Sequence, residues 1–123
     1  MKLMNPLTQP RWLLHAEGAA LFGVVLVAWA RSGGSWWLFV LLLLAPDLSA
    51  LAYLVNVPVG AATYNLVHTA VLPVVLLAIG YFSGQQLLIE LALIWLGHIG
   101  MDRVAGFGLK YPTKFQDTHL QRV

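Results

Sequence analysis

The chain has 123 residues and a net charge of +2, and 59% of its residues are hydrophobic. Only 10% are charged, against about 25% in soluble domains, and the mean hydropathy is +0.77. That excludes a disordered chain and argues against a water-soluble one. The small charge and the lack of a basic aromatic stripe exclude nucleic-acid binding. The absence of cysteine excludes disulfides, thiolate catalysis and Cys-ligated iron–sulfur clusters.

The length suits a single integral membrane domain over 1–123. Residues 1–11 form a polar lead-in with Pro6 and Pro10. The first apolar run, roughly 12–30, is long enough to cross a bilayer core. Lys2 and Arg11 ahead of it, with Ala28-Trp29-Ala30 at its end, could be read as a secretory signal. His15 and Glu17 interrupt the apolar stretch, so it is read as a retained span. A turn at Arg31–Ser35 leads to the second run, roughly 36–57, with Trp36 and Trp37 as interfacial anchors and Pro46-Asp47 near its middle. Pro58 and Gly60 mark the next turn. The third run, roughly 59–81, carries Tyr64, Asn65, His68 and Thr69 early and Pro73 later. After Ser83-Gly84-Gln85-Gln86 comes the fourth run, roughly 87–107, which ends in His98, Asp102 and Arg103. The tail, 108–123, is basic and aromatic. It reads as an interfacial segment, or as one that folds over the mouth of the site with Asp117 and His119.

The expected fold is all-α: a four-transmembrane-helix antiparallel bundle with short loops and neighbouring helices in contact. Lys2, Arg11, Arg103, Lys110, Lys114 and Arg122 fall on one side and Arg31 on the other. The positive-inside rule then places both termini in the cytoplasm and the protein in the inner (plasma) membrane, with lipids as its neighbours. A homodimer would cover part of the remaining apolar surface.

Depth along the spans carries the strongest expectation. With alternating helix directions, His15, Glu17, Asp47, His68, His98 and Asp102 all fall in the half nearer the cytoplasm, within roughly 15 Å of its boundary at about 1.5 Å per residue. The outer half has only Glu90, near its rim. Ionisable groups in lipid are expensive and turn inward to partners, so a shared depth implies a shared site.

His98 and Asp102 are four residues apart and share a helical face. They fit two metal ligands, a buried hydrogen-bonded pair, or a bridge from Asp102 to Arg11 or Arg103. Pro46 leaves the carbonyl of Leu42 without a helical partner beside Asp47, the kind of opening a cation uses. Packing is the plainer reading, with Asp47 bonded to Ser49 or Tyr64. His68 has Tyr64 and Asn65 within one turn, suited to orienting its ring, binding substrate, or joining helices. Glycines 97, 100, 106 and 108 suit close helix approach and termination.

The segments APDLSALAYL, YNLVHT, WLGHIGMDR, GFGLKYP and THLQR resemble the domain-of-unknown-function 4260 family of small bacterial membrane proteins. That resemblance implies membrane location and no particular activity. Pro46-Asp47, His68-Thr69 and His98 with Asp102 also resemble, in order, three motifs of membrane-bound metal-dependent hydrolases of the LexA-regulated type. Two positions depart from that pattern. Ser49 stands where the hydrolases have a second Asp, and no His stands near Thr63 or Tyr64.

Together these readings give a divalent-metal site, with zinc as the metal and Asp47, His68, His98 and Asp102 as ligands. A hydrolase of a lipid-like ester or phosphoester would use Glu17 as general base, with Tyr64, Asn65 and Arg103 at the substrate. The competing readings are proton or cation transport through the same groups, a haem between His68 and His98, and a structural subunit without catalysis.

Overall fold

The structure, a computed structural model, describes residues 6–122; Lys2, counted above for orientation, lies outside them. The described residues are helical, with no strand beyond a single bridge between Lys110 and Thr118. A 3₁₀ turn, Pro6–Thr8, precedes α1, Pro10–Ser32. Then come α2, Trp36–Leu43, a 3₁₀ segment, Ala45–Leu54, and α3, Val57–His68. They are followed by α4, Val71–Ser83, α5, Gln86–Ala105, and α6, His119–Arg122.

Local chemistry places the boundaries. Pro10 starts α1, where its missing N–H costs nothing. Asn56 caps α3 by accepting from the Val59 N–H at 2.8 Å. Gly33, Gly84 and Gly106 end α1, α4 and α5 in the left-handed region, at φ 75°, 70° and 93°.

Three stretches are long and apolar enough to cross a membrane: Pro10–Ser32, Trp36–Leu54 and Val57–Ser83. Two of them are broken, the second at the opening expected beside Pro46 and the third where one continuous helix was expected. In the second, α2 ends at Leu43 and the chain tightens to a 3₁₀ helix at Pro46-Asp47. In the third, Thr69 is extended at ψ 145° between α3 and α4. The cause of this break is Pro73, which cannot donate to the Thr69 carbonyl and whose ring collides with it.

The fourth run, α5, carries Glu90, Asp102 and Arg103 and is the most enclosed element. From Ala92 to Asp102 it buries nine residues. It packs on α1, α4 and α2, while α3 packs on the 3₁₀ segment. The first helix therefore pairs chiefly with α5 rather than with its neighbour in sequence. The α1–α5 crossing is tight because both sides are glycine. A Cβ on Gly100 would stand 2.8 Å from the Phe22 nitrogen and 3.0 Å from the Gly18 oxygen. Val25, Trp29, Phe39, Leu93, Ile94 and Leu96 form the apolar core above this crossing.

Candidate metal centre

The two helix breaks are what build the site. A helix that stops leaves its last carbonyls without partners, and in an apolar setting they must find others. All three that matter are taken by side chains of α5. At the first break the Asp47 N–H bonds back to Leu44 (3.1 Å). The Leu43 carbonyl receives His98 Nδ1 instead, at 2.6 Å. At the second, Trp95 Nε1–H donates to the Val67 carbonyl at 2.6 Å, and Arg103 Nη2–H donates to that of His68 at 3.1 Å. Trp95, His98 and Asp102 are spaced three and four apart, one stripe of α5.

These bonds also determine how the imidazoles are protonated. A carbonyl oxygen can only accept, so the ring nitrogen facing it carries the proton. His98 Nδ1 faces Leu43, and His68 Nδ1 faces the carbonyl of Tyr64 at 2.8 Å. In the neutral rings both Nε2 atoms are therefore bare lone pairs. They point at each other across 3.1 Å. Two carboxylates complete the group. His98 Nε2 is 3.2 Å from Asp47 and 3.1 Å from Asp102; His68 Nε2 is 3.4 Å from Asp47 and 3.6 Å from Asp102. All four donor atoms lie within 4.8 Å of one another. Both histidines are fully buried and Asp102 nearly so, whereas half of the Asp47 side chain is exposed.

Lone pairs and carboxylate oxygens in contact repel one another unless a metal ion or a proton lies between them. The spacings suit a metal. Ligands at about 2.0–2.1 Å around a tetrahedral ion stand about 3.3 Å apart, and the five separations above run from 3.1 to 3.6 Å. The Nδ1–H to carbonyl bonds are the outer contacts that fix the tautomer of metal-binding histidines. The same spacing excludes haem between His68 and His98. Axial imidazoles stand on opposite faces of a macrocycle, and here they nearly touch.

The other expected site residues are placed as follows. Tyr64 stacks flat on His68, with centroids 3.6 Å apart and planes 6° from parallel. The Asn65 side chain bonds the backbone of Lys110 on both sides, its Nδ2–H donating to the carbonyl at 2.7 Å and its Oδ1 accepting from the N–H. Arg103 donates to the Phe107 carbonyl as well as to that of His68. Glu17 is not brought to the four ligands. It lines a separate cavity of about 190 Å³ with Arg103, Thr69 and Ile99. His15 faces the carbonyl of Val104 at 2.9 Å. Asp102 turns to the histidines rather than to an arginine, and Asp47 likewise; the buried Ser49 hydroxyl has no partner.

The tail does fold over the site, through different residues from those expected. Lys110 is buried, its ammonium 4.6 Å from the Tyr64 ring centroid and 3.7 Å from that of Phe115. Burial pushes the Lys110 pKa below the ordinary lysine value, and Asp102 and Asp47 pull it back towards the charged form. Asp117 is held instead by Arg122 and Thr113, and His119 Nδ1 accepts from the Leu109 N–H at 2.8 Å. The bonding roles of Trp95, Arg103 and Lys110 were not foreseen. The Trp95–His98–Asp102 stripe is the signal that could have found the first.

Fold and site together define an all-helical, membrane-type protein with a two-histidine, two-aspartate group between broken helices. The chain belongs to the family described as domain of unknown function DUF4260, whose model matches residues 11–123. No curated protein and no solved structure matches it.

Proposed function

We propose that the chain binds one divalent first-row cation, zinc, through Asp47, His68, His98 and Asp102, and that the centre hydrolyses an ester or phosphoester of a lipid-like molecule. One observation carries the reading: two Nε2 lone pairs 3.1 Å apart, each turned inward by a backbone bond, with two carboxylates closing the set. Nitrogen and oxygen donors suit zinc or a neighbouring metal better than calcium or magnesium. When bound, such an ion supplies Lewis acidity and makes water acidic enough to attack near neutral pH.

The residues themselves divide the remaining work. Asp47, half exposed, faces the side from which water and substrate arrive. The buried His68, His98 and Asp102 hold the centre from behind. Tyr64 fixes the plane of His68 by stacking. The base expected at Glu17 would act from the neighbouring cavity that it lines with Arg103.

The setting belongs to the same proposal: a four-span bundle in the inner membrane, with α5 as the fourth span and both termini cytoplasmic. Exposed Leu54, Phe82 and Trp37 support lipid contact, and twenty residues of α5 cover about 30 Å.

The test is metal analysis of the protein purified without chelators and supplied with zinc, beside His98→Ala. One metal per chain in the parent and none in the variant is expected, followed by zinc-dependent cleavage of phospholipid or phosphoester substrates. No metal in either protein overturns the metal reading; metal without turnover overturns the hydrolase.

A further inference from the structure

A second cavity, of about 270 Å³, lies in the folded tail and is lined by Phe107, Lys110, Phe115, Gln116, Thr118 and Gln121. The bridge between Lys110 and Thr118 sets these two on opposite sides of one rung. Both are more than nine-tenths buried, Lys110 being 5% and Thr118 2% exposed. Yet neither spends its side-chain polar atoms. The Thr118 hydroxyl is buried without a hydrogen-bond partner. The Lys110 ammonium has ring faces for neighbours and, among the described residues, no hydrogen bond or ion pair.

Aromatic faces favour the positive charge, but an ammonium has three N–H donors to satisfy. A hydroxyl buried without a partner is costly, and a largely buried ammonium that meets ring faces and only the long-range pull of Asp102 and Asp47 still lacks acceptors for its N–H groups. The other charges of the tail are engaged or outside. Asp117 and Arg122 bond each other at 2.6 Å, and Arg122 lies 3.6 Å from the Tyr111 ring centroid. Lys114 is exposed. Gln121 donates to the Gly106 carbonyl at 3.1 Å, while the Gln116 amide is exposed at the rim.

We propose that this cavity binds a phosphate group, with the Lys110 ammonium and the Thr118 hydroxyl as its inner donors and the Gln116 amide at its mouth. An oxyanion with several acceptor oxygens satisfies a charged donor and a neutral one together and offsets the positive charge, which a neutral carbonyl does not. At about 30 Å³ per water the space equals about nine waters, enough for phosphate and the first atoms of its alcohol. The aromatic walls accept the carbon side of such an ester. This site stands on Lys110 and Thr118 and does not depend on the metal centre.

The experiment titrates the detergent-solubilised full chain with inorganic phosphate and with glycerol phosphate, in the presence of EDTA, following the ³¹P resonance and heat. Binding is expected in the parent. Lys110→Met should weaken it at least about tenfold and Thr118→Val about fivefold, the sizes of a charged and a neutral hydrogen bond. Lys110→Arg, which keeps the charge, should retain it and guards against misfolding as the cause of loss. Phosphatidate in mixed micelles then identifies the source. Displacement at lower phosphate concentration than glycerol phosphate requires supports a lipid headgroup, and equal displacement supports a soluble phosphate ester. No phosphate binding in the parent, or equal binding in parent, Lys110→Met and Thr118→Val, overturns the proposal.

Discussion

Replacing Asp102 by asparagine separates a metal site from a merely polar cluster, because the two readings give opposite signs. At alkaline pH, with both rings neutral and no metal bound, the parent holds Asp102 Oδ2 against two bare Nε2 atoms, 3.1 Å from His98 and 3.6 Å from His68. Asp102→Asn can turn an amide N–H towards His98 Nε2, so the metal-free variant should be at least as stable as the parent. With zinc the order reverses. At a free zinc concentration 100 times the dissociation constant, the parent gains about 2.7 kcal/mol. For a chain of 123 residues that is a Tm rise of roughly ten degrees, taking about 2.1 cal/mol/K of unfolding entropy per residue. If loss of one carboxylate weakens zinc about 100-fold, the same concentration adds only about 0.4 kcal/mol, or roughly two degrees. The assay is thermal unfolding in detergent with zinc and with EDTA for both proteins. Equal zinc shifts in both, or none in either, would refute the reasoning. So would a metal-free variant several degrees less stable than the metal-free parent, since Asp102 would then be stabilising the cluster by itself.

Three further outcomes follow from the packing and the tail. Gly100→Ala places a methyl 2.8 Å from the Phe22 nitrogen, against backbone that has no rotamer to change; it should cost about 1–3 kcal/mol, read as a lower Tm. Trp95→Phe keeps an aromatic ring, smaller than the indole, but leaves the Val67 carbonyl without its 2.6 Å partner. It should cost about 1–2 kcal/mol and lower zinc affinity by loosening the end of α3, whereas unchanged stability would remove Trp95 from its capping role. The tail should loosen in acid. Burial, with help from the nearby Arg103 charge, pushes the His119 pKa below its ordinary value, and hydrogen bonds from Arg122 and Thr113 hold Asp117 well below the usual carboxylate range. Both pKa values are lower folded than unfolded, so both contributions are complete above about pH 6.5 and are lost as the pH falls through the folded values. The protection of the Leu109 amide against hydrogen exchange, relative to an unstructured amide at the same pH, should fall below about pH 6 and stay unchanged above it, because that amide donates to His119 Nδ1.

The amino-acid order alone determined the helical, membrane-type character, the approximate ends of the apolar runs, and the membership of the metal-type group. Run length and the placing of Pro46, Pro73, Gly84 and Gly106 are properties of a linear string, and depth along a helix follows from counting residues. Asp47, His68, His98 and Asp102 therefore stood out before any packing was known. Only the tertiary structure decided which way each side chain faces and what it touches. It turned the opening at Pro46 into a 3₁₀ segment, broke the third run where a continuous helix was expected, made α5 the enclosed helix, and left Glu17 apart in another cavity. It gave Asn65 to the backbone of Lys110, and it brought Lys110 and Phe115 over Tyr64 in place of Asp117 and His119. The physical reason is that a carbonyl freed by a helix break can be satisfied by any donor within reach. Whether that donor is Trp95, His98 or Arg103 depends on the rotation and crossing of α5. Those are set by contacts such as Gly18 on Gly100, between residues some eighty positions apart in the chain.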